Sequence, residues 1–81
     1  QIMLDLVREK FKEPELRERL VGTAGLMLTE GNRWHDNYWG ECVCPRCQMG
    51  AERPKNRLGR ILMQVRYEIE VDKIMEDLFS A

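Results

Sequence analysis

The 81 residues hold at most one small domain, and a core of this size is marginal without a metal, a partner or more chain. A formal net charge of −1 gives no overall pull toward nucleic acid or membrane, although Arg53, Lys55, Arg57 and Arg60 lie close enough in sequence to meet a phosphate. No apolar run is long enough to span a bilayer and no signal-peptide pattern opens the chain, while Gln1 stands where an initiator methionine would, so more chain is expected before it.

The elements are expected to be helices, with little or no sheet. Over residues 3–12, Leu4, Val7 and Phe11 fall at steps of three and four, which is one face of an amphipathic helix. Pro14 lacks an amide donor and disfavours helix at Glu13, so the first helix ends there. Pro14 can open a second helix with Leu16, Leu20 and Val21 on one face. Gly22 is expected to close it as a left-handed cap. Residues 25–30 (GLMLTE) are a short apolar run closing on Glu30, and a buried strand or an extended segment fits best. Residues 31–55 hold prolines, glycines and every cysteine, and read as a long ordered loop; such loops are uncommon unless functional or pinned. Asn56 then caps a long helix with Leu58, Ile61, Leu62, Val65 and Ile69 on one stripe. Gly59 costs that helix roughly 1 kcal/mol relative to alanine, which points to close packing or close ligand approach at its first turn. After Ile69 the stripe changes phase to Val71, Ile74, Met75 and Leu78, so a break near Asp72 or a separately docked helical tail over 70–81 is expected. The apolar stretch 74–79 suits a partner helix or self-association.

The three cysteines form C-x-C-x-x-C at Cys42, Cys44 and Cys47. An odd number in so tight a cluster is no disulfide framework, and it reads as a metal site in a reducing compartment, hence a cytoplasmic location. Cys44-Pro45-Arg46-Cys47 has the tight turn of a zinc knuckle. A closed structural zinc site needs four ligands, and His35 is the only histidine. The natural set is His35, Cys42, Cys44 and Cys47, with zinc pinning the loop and adding stability. Other readings stay open: the C-x-C pair is cramped for one ion, His35 can instead bind substrate or act as a base, and a redox C-x-x-C lacks the helix expected after it. Three cysteines argue against an iron–sulfur cluster. Near-neutral charge and the lack of a second knuckle argue against a zinc-ribbon nucleic-acid binder.

An ordered series of short motifs carries a resemblance. Lys10-Phe11, Pro14-Glu15-Leu16, Leu20 and Thr23 come first. Leu28-Thr29-Glu30, Asp36 and Tyr38-Trp39-Gly40 follow, and then Asn56-Arg57-Leu58-Gly59-Arg60-Ile61-Leu62-Met63-Gln64-Val65-Arg66. The series resembles the second half of the NADAR/YbiA-like family, over about residues 10–67. The resemblance implies a partial YbiA-like helical domain over 1–81, with residues 41–55 as a cysteine-rich insertion that many members lack. The family's first half, which supplies part of the pocket, is expected from more chain or from a partner.

The resemblance also implies an N-glycosidase acting between a ribose, as ribose phosphate or ADP-ribose, and a nucleobase or related base. The substrate would be a small ribosyl or ADP-ribosyl molecule, possibly carried on nucleic acid, with no redox cofactor and no membrane partner. Breaking a glycosidic C–N bond builds positive charge on the sugar, which a carboxylate stabilises, and a carboxylate can activate the attacking water. Glu30 and Asp36 match the family's acids. Glu30 ends an apolar run, where partial burial would suit it to acid–base work; equally it can cap a turn or pair with an arginine. Trp39 can wall a base pocket or anchor the loop in the core. Trp34 is expected to pack around the cysteine loop. Asn56 and Gly59 open a helix whose free amides suit a phosphate or ribose oxygen, with Gly59 letting the ligand approach. Arg60 and Arg66 are expected in solvent. The rival expectation is a non-enzymatic, zinc-stabilised binding or interaction module of the same descent.

Overall fold

A computed structural model describes residues 2–50 and 53–80. The order is α1 (Ile2–Lys10), α2 (Pro14–Val21), β1 (Gly31–Asn32), β2 (Glu41–Cys42), α3 (Pro45–Gln48) and α4 (Arg57–Phe79). The protein is mainly helical, with the cysteine segment ahead of the long last helix, as the periodicity predicts. Among the described residues, no helix is long and apolar enough to cross a membrane. The chain divides into two compact units, residues 1–26 with 61–81, and Met27–Arg60.

In the first unit, α1 and α2 follow the expected faces: Val7 and Leu20 are buried, as are Val65 and Ile69 of α4. Glu13 caps α2, its carboxylate accepting from the Glu15 and Leu16 amides at 3.1 and 2.9 Å. Pro14, with no amide to satisfy, sits harmlessly at the first helical position. Gly22 departs from expectation. It is right-handed, with φ −61°, and the chain continues in two tight turns from Thr23 to Leu20 and from Ala24 to Val21. Positive φ, +83°, arrives only at Gly25. The Thr23 hydroxyl donates to the Leu20 carbonyl at 2.6 Å, which stabilises that extension.

Arg66 is the second departure. Its side chain is only 11% exposed. Its guanidinium donates to the Thr23 and Leu26 carbonyls at 2.8 and 2.9 Å and to the Thr23 hydroxyl at 3.1 Å. All three bonds come from one guanidinium nitrogen, Nη1. Arg66 thus satisfies the carbonyls after α2 instead of facing solvent. The third departure is the continuity of α4 through Asp72. Residues 68–77 contain neither glycine nor proline and half of them are strong helix formers, so nothing local stops the helix where no buried stripe guides it. Ile74, Met75, Leu78 and Phe79 stay exposed.

Arg8 donates to both Glu68 carboxylate oxygens, at 2.9 and 2.7 Å. That contact holds the Glu68 carboxyl below its ordinary value of 4.5. A carboxyl lowered on folding adds stability above its unfolded pKa and loses it as pH falls through the folded value. Glu68→Gln should therefore lower the melting temperature slightly at neutral pH and leave it unchanged well below pH 4.5. A pH series of thermal melts reads the difference, and equal losses at both ends would refute the ion pair's contribution.

Candidate metal centre and surrounding cleft

The second unit is built around backbone pairing with almost no sheet. Gly31 and Asn32 pair in parallel with Glu41 and Cys42. The Glu41 amide donates to the Glu30 carbonyl at 2.8 Å, and the Val43 amide to Asn32 at 2.7 Å. Gly40 permits this approach, because a Cβ there would overlap the Glu30 carbonyl oxygen. A second ladder closes the base of the loop: the Lys55, Asn56, Arg57 and Leu58 amides donate to the carbonyls of Asn37, Gly40, Tyr38 and Trp39. Residues 31–50 and 53–55 are therefore ordered, with short pairing and the one-turn α3 among them.

Side chains shape the turn between the paired stretches. Asn32 is buried, and its amide donates to the Asp36 carbonyl at 2.7 Å while its oxygen accepts from the Asp36 amide at 3.1 Å. This bracket holds His35 at φ 66°, a left-handed conformation that histidine tolerates better than most residues. The Asn37 side chain accepts from the Cys42 amide at 2.7 Å. Cys44 caps α3, its sulfur accepting from the Cys47 amide at 3.4 Å.

The result gathers the four expected ligands. The Nδ1 of His35 and the sulfurs of Cys42, Cys44 and Cys47 all lie within 4.8 Å of one another. The sulfurs of Cys47, Cys44 and Cys42 stand 3.1, 3.4 and 3.8 Å from Nδ1. Zinc bonds of about 2.3 Å to sulfur and 2.0–2.1 Å to nitrogen place tetrahedral donors roughly 3.5–3.8 Å apart. The donor set and its spacing fit such an ion, and the adjacent Cys42 and Cys44 both reach the cluster despite their cramped spacing. Burial pushes the Cys42 thiol up, but hydrogen bonds from Cys44, His35 and Cys47 hold it down to about 6. Burial, together with Cys42 and Cys44, pushes Cys47 up to about 11. One sulfur thus ionises readily, while another gives up its proton only to a strong competitor.

The remaining candidate residues are more scattered. Asp36 turns its Oδ1 back to the Tyr38 and Trp39 amides at 3.1 and 2.9 Å. Among the described residues its other oxygen accepts no hydrogen bond. Glu30 is exposed, and its carboxylate neither caps a turn nor pairs with an arginine among the described residues; the apolar run before it is not buried, since Leu26 and Met27 are 61% and 77% exposed. That segment forms no strand: it turns at Gly25 and Leu26 and runs on without regular structure to Glu30, whose carbonyl accepts from the Glu41 amide. Trp39 is half-buried and meets Tyr38 edge to face at 5.0 Å. Trp34, expected to pack on the cysteine loop, is 72% exposed.

Asn56 does not cap α4 with its side chain. Its φ is 46°, its oxygen accepts from the Glu30 amide at 3.0 Å, and its nitrogen donates to the Leu28 carbonyl at 2.8 Å. A Cβ at Gly59 would overlap the Asn56 amide and the Leu28 carbonyl. The space over Gly59 thus belongs to protein, and the Arg57 and Leu58 amides are spent on the loop ladder. Of Gly59's two sequence explanations, close packing is the one the structure realises.

Two clefts adjoin the cluster. One of about 320 Å³ is lined by His35, Asp36, Asn37, Tyr38, Arg53 and Lys55. The other, also about 320 Å³, includes Asn37, Glu41, Cys42, Cys47 and Arg53. Glu30 and Trp39 line neither. Sequence reasoning missed Tyr38 as the residue that gathers cations: Lys55 Nζ lies 5.5 Å and the Arg57 guanidinium carbon 5.1 Å from its ring centre. No local signal was available, because Lys55 and Arg57 stand far from Tyr38 in sequence and meet it only through the ladder.

Known proteins add a direction. The chain is 36% identical over 74 residues to N-glycosidase YbiA of Escherichia coli (strain K12), and equally to N-glycosidase YbiA of Shigella boydii serotype 4 (strain Sb227). The similarity covers 90% of this chain but 41% of those proteins, so the chain spans about two fifths of the length of the curated relatives it matches. No family model and no solved structure matches it.

Proposed function

We propose that this chain is part of an N-glycosidase of the YbiA-like family, which hydrolyses the bond between a ribose, as ribose phosphate or ADP-ribose, and a nucleobase or related base. The observation that carries the reading is the similarity to N-glycosidase YbiA across nine tenths of this chain. The rest of such a domain, from the same gene or from another chain, completes the pocket. A zinc ion on His35, Cys42, Cys44 and Cys47 serves as a structural pin for the segment that carries Asp36 and Trp39.

Glu30 and Asp36 are the proposed catalytic carboxylates. As the C–N bond lengthens, the anomeric carbon becomes cationic; one carboxylate stabilises that charge and one draws the proton from the attacking water. Exposure of Glu30 in this chain fits a group that waits for the missing portion to enclose it. Asp36 has one oxygen fixed by two amides and one left for substrate. Trp39 borders the base. Asn56 and Gly59 contribute to the substrate side by position, since they hold the Glu30 amide against the opening turn of α4.

The test is incubation of the full-length protein with ADP-ribosylated guanine nucleic acid and with a ribosylaminopyrimidine phosphate, with released base read by mass. Glu30→Gln, which removes the charge and keeps the shape, is expected to lower turnover by about 100-fold or more. A fully active variant would remove Glu30 from the mechanism. The second reading, a zinc-stabilised interaction module, is favoured by the ligand cluster itself and wins if the full-length protein releases no base.

A further inference from the structure

The near-neutral total conceals a segregation of charge. Residues 27–60 carry six Lys and Arg against four Asp and Glu, whereas the rest of the chain carries seven against ten. Within the positive segment, Lys55 and Arg57 converge on Tyr38, and Arg53 lines the same cleft as Lys55 and Tyr38. Among the described residues none of the three forms an ion pair. Backbone bonds from the Lys55 and Arg57 amides to the Asn37 and Tyr38 carbonyls fix where these side chains start. The π face of Tyr38 then attracts both cationic heads. Like charges held this close repel one another, and an anion between them relieves that repulsion. The cleft they border, about 320 Å³, is at the small end of the range for ligand sites and admits a diphosphate. Among the described residues that line it, the one carboxylate, Asp36, is partly offset by the two amides it accepts.

We infer that this cleft binds the phosphate groups of a nucleotide, with Arg53 and Lys55 as the phosphate ligands and Tyr38 as the residue that positions Lys55 and Arg57. The inference rests on the glycosidase reading for the sugar and base, and on the charge geometry alone for the phosphate. The phosphate belongs to a free nucleotide such as ADP-ribose or to one end of a nucleic-acid strand, and the experiment separates these sources.

The metal-loaded chain is titrated with inorganic pyrophosphate, ADP-ribose, adenosine and a single-stranded oligonucleotide, with binding followed by calorimetry. Pyrophosphate and ADP-ribose are expected to bind and adenosine is not. Arg53→Ala with Lys55→Ala, both exposed positions, should weaken pyrophosphate and ADP-ribose by about tenfold or more, as two charge-assisted contacts are lost. Tyr38→Phe keeps the ring and should bind as wild type, whereas Tyr38→Leu should weaken binding with the fold and metal content intact. Oligonucleotide binding that also falls in the double variant identifies a strand terminus as a source; oligonucleotide indifference identifies the free nucleotide. No pyrophosphate binding, equal binding of adenosine, or an unaffected double variant overturns the site. Phosphate binding without base release by the full-length protein leaves this site standing and removes the glycosidase reading.

Discussion

Stripping the proposed zinc with a chelator is expected to abolish the ordered structure of residues 31–50 and 53–56. The unit around the cluster buries few large side chains, Cys42 being the main one, so little apolar burial replaces the ion. Structural zinc in small domains contributes on the order of 10 kcal/mol of binding free energy, which exceeds the whole stability of many domains this size. Both tryptophans, Trp34 and Trp39, lie in this segment, so their fluorescence reports the change directly. Metal analysis should find one zinc per chain, and Cys44→Ser should lose it together with the native emission. Zinc binds thiolates, so its uptake must displace thiol protons, and burial beside Cys42 and Cys44 makes the proton of Cys47 harder to remove. Affinity should therefore rise with pH, with protons released to buffer on binding. Purified protein without stoichiometric metal, or emission indifferent to chelator, would end the proposal.

Gly59→Ala is the second large effect, and its sign is the test. Helix propensity alone forecasts a gain of about 1 kcal/mol. The structure forecasts a loss, because the new methyl meets a backbone carbonyl and a side-chain amide that are bonded to each other. Neither can retreat without breaking that bond. Overpacking of this kind costs about 1–3 kcal/mol, and in a chain this short each kcal/mol moves the melting temperature by roughly 4–8 °C. Asn56→Gly, which keeps the positive φ but removes the amide, should lower the melting temperature by a comparable amount, as the Leu28 carbonyl and Glu30 amide lose their partner. A raised melting temperature in Gly59→Ala would mean that the Asn56–Leu28 contact is not as drawn.

The helices were legible because periodicity and proline position are local. The metal cluster was legible because ligand chemistry narrows the choice: one histidine and three cysteines leave one complete set. Gly22 was misread because the sequence does not say whether a glycine ends a helix or is carried through two further turns, and here Thr23 supplies the bonds that prolong it. Arg66 was misread because nothing local reveals that carbonyls forty or more residues earlier need a donor. Asn56 was read as a cap from its place before a helix; its left-handed backbone turns the side chain toward Leu28 and Glu30 instead. Glu30 was expected to be partly buried because an apolar run precedes it, but Leu26 and Met27 are not covered within this chain.

The ladder that ties residues 37–40 to residues 55–58 makes a neck, and beyond the Glu41 and Cys42 pairing with Gly31 and Asn32 the cysteine segment extends from it. A flexible loop costs only about 0.6 kcal/mol more for each doubling of its length. The neck therefore frees the intervening stretch to grow, shrink or acquire cysteines over evolutionary time, while Tyr38 and the first turn of α4 keep their register.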